Sequence, residues 1–549
     1  MTPSNVLQAT VGYGLLVHQV YRKTESSNFI LAVSLFALLP LYISSLLTLD
    51  YPPLVAILIT YTFFLTTLIL SIVCYRVSPF HPLGRYPGPL ACKITRLWLF
   101  KFSRRGQQHL YIRSLHDRYG DVVRIGPNEL CICDSTAIAP MMGQAGLPKG
   151  PNWTGRSMDP PIPALSAIRD PVLHGQRRKP WNRGMSVSAL REYESIVAKR
   201  AVQFINVMEQ QKGTPNLAHW LACFSYDLIN DIAFGGGSEL LREGDTDGIL
   251  HTIEQGMRKG FIFEHLPWLA GYAYKIPVIG RATRTVRETG RRKAQHRTKN
   301  GSTVKDLFYY LNNEDGVEKT QPNPDQVASD GSLAVIAGAD TTAATLCNAL
   351  YFLMRNPECY DRLQEEVDKF YPIGENALDP KYYSKMPYLE AVINETMRLY
   401  PGALSGSQRA PMKGSGGKAI GPYFIPEGNQ VRVHTYTIQR CSRYFSHPDT
   451  FWPERWLIVG GLQAAPNPKE FVHNSDAFIP FSYGPANCVG KNLAMQEMRM
   501  VLCHFMQRLR VRFAPGWNVD EWERNLHDFF ILLTGELPVI VEPRCDRET

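Results

Sequence analysis

The sequence predicts a mainly α-helical fold with small β-sheets (α+β), preceded by N-terminal transmembrane helices. Residues 187–300 are predicted to be mainly helical, and residues 325–354 are predicted to form one long helix rich in alanine and leucine. Residues 119–127 and 528–541 contain short strand-like segments bounded by turn residues, and these predict the small sheets. Two long uncharged runs near the N-terminus predict the membrane helices.

The composition is that of a large globular protein in a reducing compartment. The 549 residues, 44% of them hydrophobic, suffice for one large domain with an appendage or for two ordinary domains. The eleven cysteines are odd in number and scattered, which argues against a disulfide framework. The formal net charge of +9 is modest for this length, and a solvated basic face explains it, so no nucleic-acid partner is predicted.

The two uncharged runs, residues 29–49 and 54–75, are each long enough to cross the hydrocarbon core as a helix. A tight polar turn at residues 50–53 separates them. The alternative is one true span followed by a buried apolar helix. Basic residues flank the pair on both outer sides, which predicts a membrane hairpin with both flanks in the cytosol: Arg22, Lys23, Arg76 and Arg85.

The chain therefore divides into a cytosolic N-terminal segment (1–28), a membrane anchor of two transmembrane helices (29–75), a hinge (76–90) and one large domain (91–549). Residues 6–20 are too polar to be predicted as a third span. The hinge is defined by four prolines that break any helix: Pro79, Pro82, Pro87 and Pro89.

One cysteine is presented by a loop rich in glycine and proline, directly before a predicted helix. The loop runs from Phe481 to Gly490, and apolar residues at a period near 3.6, from Ala494 to Leu509, predict the helix. Cys488 therefore lies at a helix N-terminus, where free N–H groups and the helix dipole favour a thiolate. A thiolate presented in this way is a candidate axial ligand of haem iron. The alternative is a small buried structural cysteine.

This loop resembles the cysteine-ligand signature of the cytochrome P450 family, F-x-x-G-x-[R/H]-x-C-x-G. Phe481, Gly484, Cys488 and Gly490 are in register with the signature, and Ala486 replaces its basic residue. This departure removes one expected contact to a haem propionate but leaves the ligand cysteine in place.

Two other basic sites resemble the family's contacts to the haem propionates. His174 and Arg178 match the H/W-x-x-x-R pair of a family helix, and Arg409 matches a third propionate-binding residue. A guanidinium group suits a carboxylate because it forms charge-assisted hydrogen bonds with it. The alternative for the basic stretch 174–183 is a solvated helix start.

Residues 337–342, with the sequence Ala-Gly-Ala-Asp-Thr-Thr, lie inside the predicted long helix. An acid beside two threonines in an apolar helix is costly unless it is used, and threonine hydroxyls can bond to helix carbonyls and open the ladder locally. The segment resembles the family's oxygen-activation motif, [A/G]-G-x-[D/E]-T-[T/S]. The resemblance implies that Asp340 and Thr341 deliver protons during oxygen activation.

Glu395 and Arg398 form an E-x-x-R pair on one face of a predicted helix that ends before Pro401. Such a pair is common, and alone it indicates only a surface ion pair. Residues 453–456, Pro-Glu-Arg-Trp, match the family's partner segment. The resemblance therefore implies a buried triad of Glu395, Arg398 and Arg455 that fixes the cysteine loop.

The signatures occur in the same order as in the family. With the proline-rich hinge and the C-terminal region included, the resemblance covers about residues 80–549. It implies a membrane-anchored haem-thiolate monooxygenase that uses haem b, with Cys488 as its axial ligand. No nicotinamide or flavin site is visible in the sequence, so electrons would come from NADPH through NADPH–cytochrome P450 reductase, with cytochrome b5 as a further partner. The reductase would dock on the cysteine side, near Arg177, Lys179 and Lys491.

The resemblance also implies an endoplasmic reticulum membrane, a catalytic domain facing the cytosol, and an apolar small-molecule substrate of fungal secondary metabolism. Two other function classes stay open. One is a thiolate-haem isomerase or dehydratase that needs no reductase, and the other is a non-catalytic haem-binding membrane protein. The intact pair Asp340 and Thr341 favours the monooxygenase over both.

Overall fold

Helices make up most of the chain in the computed structural model, which describes residues 2–23, 28–157, 162–276, 278 and 281–544. A π-helical turn, Ser34–Leu38, joins the second of its helices to the third. In the described part of the chain, four helices lie ahead of Ser78: α1 (Pro3–Lys23), α2 (Phe29–Val33), α3 (Leu39–Ser45) and α4 (Pro53–Val77).

The N-terminal helices agree with one of the two predicted spans more closely than with the other. The run 54–75 lies entirely within α4, which is long and apolar enough to cross a membrane. The run 29–49 is helical only over Phe29–Ser45, at the short end of the range for a span, and a turn follows. A second long apolar helix, Pro324–Arg355, is mostly buried and belongs to the core of the domain.

The domain contains the remaining helices, which vary from one turn to nine. They are α5 (Leu90–Ile94), α6 (Leu97–Ser103), α7 (Gln108–Tyr119), α8 (Ile138–Met142), α9 (Asn152–Arg156), α10 (Pro171–Gly184), α11 (Val187–Gln210), α12 (Leu217–Phe234), α13 (Leu240–Glu243), α14 (Ile249–Gly260), α15 (Ile262–His265), α16 (Leu269–Lys275), α17 (Arg281–Asn300), α18 (Leu307–Leu311), α19 (Pro324–Arg355), α20 (Pro357–Phe370), α21 (Pro387–Leu399), α22 (Thr435–Ile438), α23 (Glu454–Val459), α24 (Lys491–Arg508) and α25 (Glu521–Arg524).

Short strands form four small sheets. In the described chain, one sheet has three strands in the order β1-β2-β5, with β1 antiparallel and β5 parallel to β2, and the others are the antiparallel pairs β3-β4, β6-β9 and β7-β8. The strands are β1 (Val122–Gly126), β2 (Glu129–Ile132), β3 (Gly417–Ile420), β4 (Tyr423–Pro426), β5 (Gln430–Val433), β6 (Leu509–Phe513), β7 (His527–Phe529), β8 (Ile531–Leu533) and β9 (Val539–Pro543).

The main hydrophobic core surrounds α19. The N-terminus of α19 is capped: the Asn323 side chain accepts a hydrogen bond from the Asp325 N–H, and Pro324 occupies the first turn. Helices α12 and α17 pack along α19, and α21 and α24 also contact it. Helix α19, helix α21 and the helix that follows the cysteine loop, α24, are therefore packed against one another.

The predicted fold class is confirmed: the fold is helical with small sheets. The long helix predicted at 325–354 is α19, and the strand predicted within 119–127 is β1. The hairpin predicted over 528–541 is wrong in its second half. Phe530, at φ +73°, turns β7 into β8, but β9 leaves the hairpin and pairs with β6.

Candidate active site

The cysteine loop is closed by its own backbone before α24 begins. The Cys488 N–H donates to the Phe481 carbonyl at 2.9 Å, and the Asn487 N–H donates to the Gly484 carbonyl at 3.0 Å. Residues Gly484–Ala486 form a 3₁₀ turn, and Gly490 is the N-cap residue of α24. The loop therefore presents the thiol directly before a helix N-terminus, as the sequence predicts.

Gly484 is required where this loop passes α8. Its φ is +73°, and a Cβ atom at this position would lie 2.0 Å from the Met142 carbonyl oxygen. Any side chain would separate the loop from α8, so only glycine fits. Gly490 has a different role. A Cβ atom at this position would lie 4.0 Å from the Cys488 Sγ, so glycine leaves the space beside the sulfur open.

The Cys488 thiol experiences two opposed influences. Burial raises its pKa above the ordinary value, while a hydrogen bond from the Gly490 N–H and the charges of Arg178 and Lys491 lower it. Burial prevails, so the helix N-terminus alone does not produce the thiolate predicted from the sequence. Although many protein atoms surround the sulfur, the side chain still has solvent-accessible surface. A bound metal ion deprotonates a coordinating thiol outright, so ligation would supply the missing stabilisation.

Arg178 connects α10 to the cysteine loop. Its Nη1 donates to the Asn487 carbonyl and its Nη2 donates to the Asn487 Oδ1, both at 2.7 Å, while its Nε donates to the Asn182 Oδ1 at 3.2 Å. The guanidinium group therefore supports the residue that precedes Cys488. Ala486 offers no polar side chain in this loop.

Four basic side chains converge beside this loop: Lys149, His174, Arg178 and Arg409. Burial, together with the charges of Arg409 and Arg178, lowers the pKa of Lys149 to about 7. Burial, followed by the charges of Lys149, Arg178 and Arg409, lowers the pKa of His174 to about 3. Among the residues that the structure describes, no carboxylate forms an ion pair with this group of four. We call it the basic cluster.

Lys149 was not predicted from the sequence. It is buried, and its Nζ donates to the Leu165 and Ser166 carbonyls at 3.1 and 2.9 Å. The backbone of Lys149 bridges that of Arg409, whose Nη1 donates to the Leu147 carbonyl at 3.3 Å while Nε and Nη2 are buried without a partner. The two cations lie together because residues distant in sequence pair there, and no local motif marks that pairing.

The basic cluster fits the haem that the resemblance implies. Buried cations need anionic partners, and two propionates would bring about two negative charges. The unpartnered Nε and Nη2 atoms of Arg409 are the donors that such carboxylates would occupy. Lys149, His174, Arg178 and Arg409 are therefore the residues that would hold the propionates, in place of the basic residue missing at Ala486.

Neutralising Lys149 is expected to weaken haem retention. A hydrogen bond to a charged group contributes ~1.5–3 kcal/mol, so Lys149→Met should release haem about tenfold faster or more. The measurement is the rate of haem transfer to an apo-globin acceptor. Lys179→Met, which removes an exposed lysine from α10, is the control and should leave the rate unchanged. Equal rates in both variants would mean that Lys149 does not contact the propionates.

The acid and alcohol of residues 337–342 lie in the middle of α19. The Thr341 Oγ1 donates to the Ala337 carbonyl at 2.7 Å, as predicted for a threonine that bonds back into the helix. Ala337 is exposed within a stretch of mostly buried residues, so this face of α19 borders open space. Gly338 faces the other way, where a Cβ would meet the Ile229 side chain at 2.7 Å.

Asp340 is a buried carboxyl with one unused oxygen. Its Oδ2 has no hydrogen-bond partner among the described residues. Burial, with a smaller contribution from the charge of Glu254, raises the pKa of Asp340 to about 7. The carboxyl can therefore hold and release a proton near neutral pH.

The predicted triad is fully buried, and five donors surround its carboxylate. Arg398 donates from Nε and Nη2 to the two Glu395 oxygens at 2.9 and 2.8 Å, and Arg455 Nε donates at 3.0 Å. The Trp452 N–H and the Trp456 Nε1 add bonds at 3.0 and 3.1 Å. Although burial raises it, these cations and donors hold the pKa of Glu395 below its usual value.

Gln439 connects the triad to the cysteine loop. Arg398 Nη1 donates to the Gln439 carbonyl at 2.9 Å, and the Gln439 side-chain oxygen accepts from the Ile479 N–H at 2.8 Å. Ile479 lies directly before the loop that begins at Phe481. The sequence offered no signal for Gln439, because its role depends on two chain segments that meet only in the fold.

One cation predicted for the surface lies inward. Arg177 Nη2 donates to the buried Asp330 at 2.7 Å, so Arg177 anchors α10 to α19 instead of facing a partner. Lys179 and Lys491 are exposed, as predicted.

Comparisons with known proteins show the family of this chain. A family model described as cytochrome P450 matches residues 87–539. Cytochrome P450 monooxygenase FCK2 of Fusarium pseudograminearum is 34% identical over 482 residues, covering 87% of this chain and 85% of the relative. Cytochrome P450 67 of Uromyces fabae is 32% identical over 543 residues, covering 96% and 98%. Tryprostatin B 6-hydroxylase of Aspergillus fumigatus is 28% identical over 496 residues, covering 88% and 84%. With the signatures in family order and a family match over most of its length, this chain belongs to the cytochrome P450 family and is a monooxygenase.

Proposed function

We propose that this cytochrome P450 is a membrane-anchored haem-thiolate monooxygenase that takes electrons from NADPH through a separate reductase and oxidises an apolar small molecule. The observation that carries the proposal is the buried Asp340 carboxyl beside Thr341 on α19, with its unused oxygen and its pKa near 7. Monooxygenation needs a proton donor at this place. An isomerase or a haem carrier has no use for one.

The family implies a haem with a thiolate ligand, and this haem supplies the oxygen-activating chemistry when it is bound. The protein's own residues provide the rest. Cys488 would ligate the iron, and the basic cluster would hold the propionates. Thr341, whose hydroxyl donates to the carbonyl group of the exposed Ala337, and the adjacent buried Asp340 would hold and pass protons.

The reductase is proposed to dock on the cysteine side of the domain. An open groove of about 760 Å³ lies there, between α11, α24 and the segment that leads into the cysteine loop. Phe481, Ser482 and Lys491 line it, and Lys491 is exposed at its edge. The Lys491 ammonium group lies 5.8 Å from the centre of the Phe481 ring, so a negatively charged partner surface would come close to the cysteine loop. Cytochrome b5 is proposed as a second donor at the same face.

The substrate is proposed to be an apolar small molecule of fungal secondary metabolism. The relative named tryprostatin B 6-hydroxylase supports hydroxylation of a small molecule. We place the protein in the endoplasmic reticulum membrane with the domain in the cytosol, since basic residues follow α4 towards the domain.

The test is NADPH-dependent oxygen consumption by the purified holoprotein with a fungal reductase. The proposal expects oxygen uptake that needs both NADPH and reductase and that ends in water or a hydroxylated product. A haem-containing protein that is reduced by the reductase but consumes no oxygen would contradict it. A protein that converts substrate without NADPH would belong to the isomerase or dehydratase class.

The fate of oxygen is expected to change with pH through Asp340. Its pKa is raised to about 7, so the carboxyl holds its proton below pH 7 and loses it above. The share of oxygen released as hydrogen peroxide should therefore be low below pH 7 and rise above it. A positioned proton donor contributes ~10²–10⁴-fold, so Asp340→Asn should give a high peroxide share at every pH. The measurement is peroxide formed per NADPH oxidised from pH 6 to 9.

Two variants separate this role from a general effect on α19. Thr341→Ala should also raise the peroxide share, because it removes the hydroxyl next to Asp340. Asp325→Asn removes an exposed acid from the first turn of the same helix, and it should keep the parent's pH transition. A transition that persists in Asp340→Asn would assign it to another group.

A further inference from the structure

Helix α1 runs along α4 over its whole length and in the same direction. Near its beginning, Val6 shares a buried apolar cluster with Leu47 and Ala56. Near its end, the Arg22 guanidinium group lies over the Tyr75 ring at 4.9 Å. The two helices are therefore parallel, with the Pro3 end of α1 beside the beginning of α4.

The middle of α1 packs closely on α4 at a constant offset. A Cβ on Gly14 would lie 3.2 Å from the Thr67 Cβ, and Val17 is buried in a cluster with Phe64 and Leu68. One turn later, the His18 Nδ1 lies 2.6 Å from the Ser71 Oγ. A small residue at the closest approach and polar pairs between helices are typical of helix packing in membranes.

Two hydroxyl groups on the inward side of α1 have partners within the N-terminal helices. The Thr10 hydroxyl donates to the Val6 carbonyl at 2.8 Å, and the Tyr13 hydroxyl donates to the Leu35 carbonyl at 2.8 Å. Polar groups in a bilayer must find such partners inside the protein. These side chains, with His18, account for much of the polarity that makes residues 6–20 unconvincing as a span in the sequence.

The outer face of α1 matches a lipid environment in its middle. Leu15 and Leu16 are 45% and 59% exposed, and Ala9 and Gly12 are the other exposed residues between Gln8 and Gln19. The 21 residues of Pro3–Lys23 extend about 31 Å, close to the ~30 Å of the hydrocarbon core. Apolar side chains of α2, the π-helical turn, α3 and α4 are exposed as well: Ile30, Leu38, Leu41, Leu58 and Leu70.

We propose that α1 is a third membrane-spanning helix that runs parallel to α4, so its Pro3 end lies across the bilayer from the domain. Because α1 contacts α4 from one end to the other, α1 must cross the same thickness of the bilayer as α4 does. The basic residues Arg22 and Arg76 lie at the shared cytosolic end, and the sequence has no lysine or arginine between residues 28 and 75. This placement replaces the cytosolic segment predicted for residues 1–28. It concerns the lipid bilayer and does not depend on the catalytic proposal.

The test is glycosylation mapping of the full chain in yeast microsomes. One variant carries an acceptor tag with a Gly/Ser spacer ahead of Pro3, a second carries it between Tyr51 and Pro52, and a third carries it at the C-terminal end. We expect glycosidase-sensitive modification of the first two and none of the third. An unmodified tag ahead of Pro3, with a modified tag at the turn, would overturn the proposal. An unmodified tag at the turn would overturn it as well, because α4 would then not cross.

Two glycines of α1 provide a matched pair for the packing argument. Gly14 faces α4, whereas a Cβ on Gly12 would meet nothing within 4 Å. Gly14→Leu should force α1 away from α4 and lower the modified fraction of the tag ahead of Pro3. Gly12→Leu adds an apolar side chain towards lipid and should leave that fraction unchanged. Equal fractions in the two variants would show that α4 does not hold α1 in the bilayer.

Discussion

Replacing Cys488 by serine is expected to abolish the thiolate signature of the haem completely. Cys488 is the thiol that the loop presents before α24, with the Gly490 N–H and the charges of Arg178 and Lys491 directed at it. Serine keeps the size of the side chain but removes the sulfur that would bind the iron. The basic cluster is unchanged in this variant, so haem can still bind.

The measurement is the absorbance of the reduced carbon monoxide complex, together with haem content per folded protein. The parent should show the red-shifted band that thiolate ligation gives, and Cys488→Ser should show none of it while retaining part of its haem. Oxygen consumption with reductase should be lost with the band.

Cys503→Ala is the matched control, since Cys503 is a buried thiol on α24, the helix that follows the Cys488 loop. It should keep the band, because this side chain only packs in the core. If Cys488→Ser retains the thiolate band, another cysteine is the ligand. If both variants lose their haem and also unfold, the missing band results from damage to α24 and not from the loss of the iron ligand.

The sequence predicts those parts of the site that depend on short spacings. The cysteine loop, the acid–alcohol segment of α19 and the pair Glu395–Arg398 each lie within one turn or one helix. Their geometry follows from local rules: three residues apart on a helix face means adjacent side chains, and a Gly-Pro turn before a helix presents a side chain at its start. The fold class follows in the same way from long apolar helices and short strand-like segments.

Other features depend on chain segments that meet only in the fold. Lys149 enters the basic cluster because its backbone bridges Arg409, which is far away in the sequence. Gln439 joins the triad to the cysteine loop through Ile479 for the same reason. Arg177 turns inward because Asp330 on another helix offers a buried carboxylate. A single sequence carries no signal for such pairings.

The pKa of a site residue is a further quantity that the sequence pattern does not determine. The position of Cys488 at a helix start favours the thiolate, but burial raises the pKa of the thiol by more. Whether burial or the dipole prevails depends on how many protein atoms surround the sulfur. That number is a property of the tertiary structure.

The largest effect on stability is expected from Glu395→Gln. This variant keeps the size of the side chain but leaves Arg398 and Arg455 as buried cations without a countercharge, and both are 0% exposed. Breaking a buried ion pair from one side costs ~3–5 kcal/mol, which is a large share of the ~5–15 kcal/mol that stabilises a typical protein. Since Arg398 is bonded to Gln439, and Gln439 to Ile479, the loop that carries Cys488 should loosen and haem content should fall.

Glu454→Gln is the matched control because Glu454 lies near the triad, accepts from the Tyr388 hydroxyl at 3.0 Å and pairs with the exposed Arg362 at 2.9 Å. The amide oxygen of glutamine can still accept both bonds, and a pair with an exposed partner contributes ~0–1 kcal/mol, so this variant should unfold close to the parent. The measurement is urea unfolding of the holoprotein, followed by both tryptophan fluorescence and haem absorbance. Similar midpoints for Glu395→Gln and Glu454→Gln would mean that the triad does not stabilise the fold.

The pH dependence distinguishes the loss of this charge from a simple packing defect. The pKa of Glu395 is below its usual value in the folded protein, so its contribution is present above the unfolded pKa of about 4.5 and is lost as pH falls through the lower folded value. The parent should therefore lose stability in acid as Glu395 takes up a proton. Glu395→Gln has already lost that charge at neutral pH, so the stability gap between parent and variant should narrow as pH falls. A packing defect would leave the gap constant at every pH, and that result would contradict the electrostatic role of the triad.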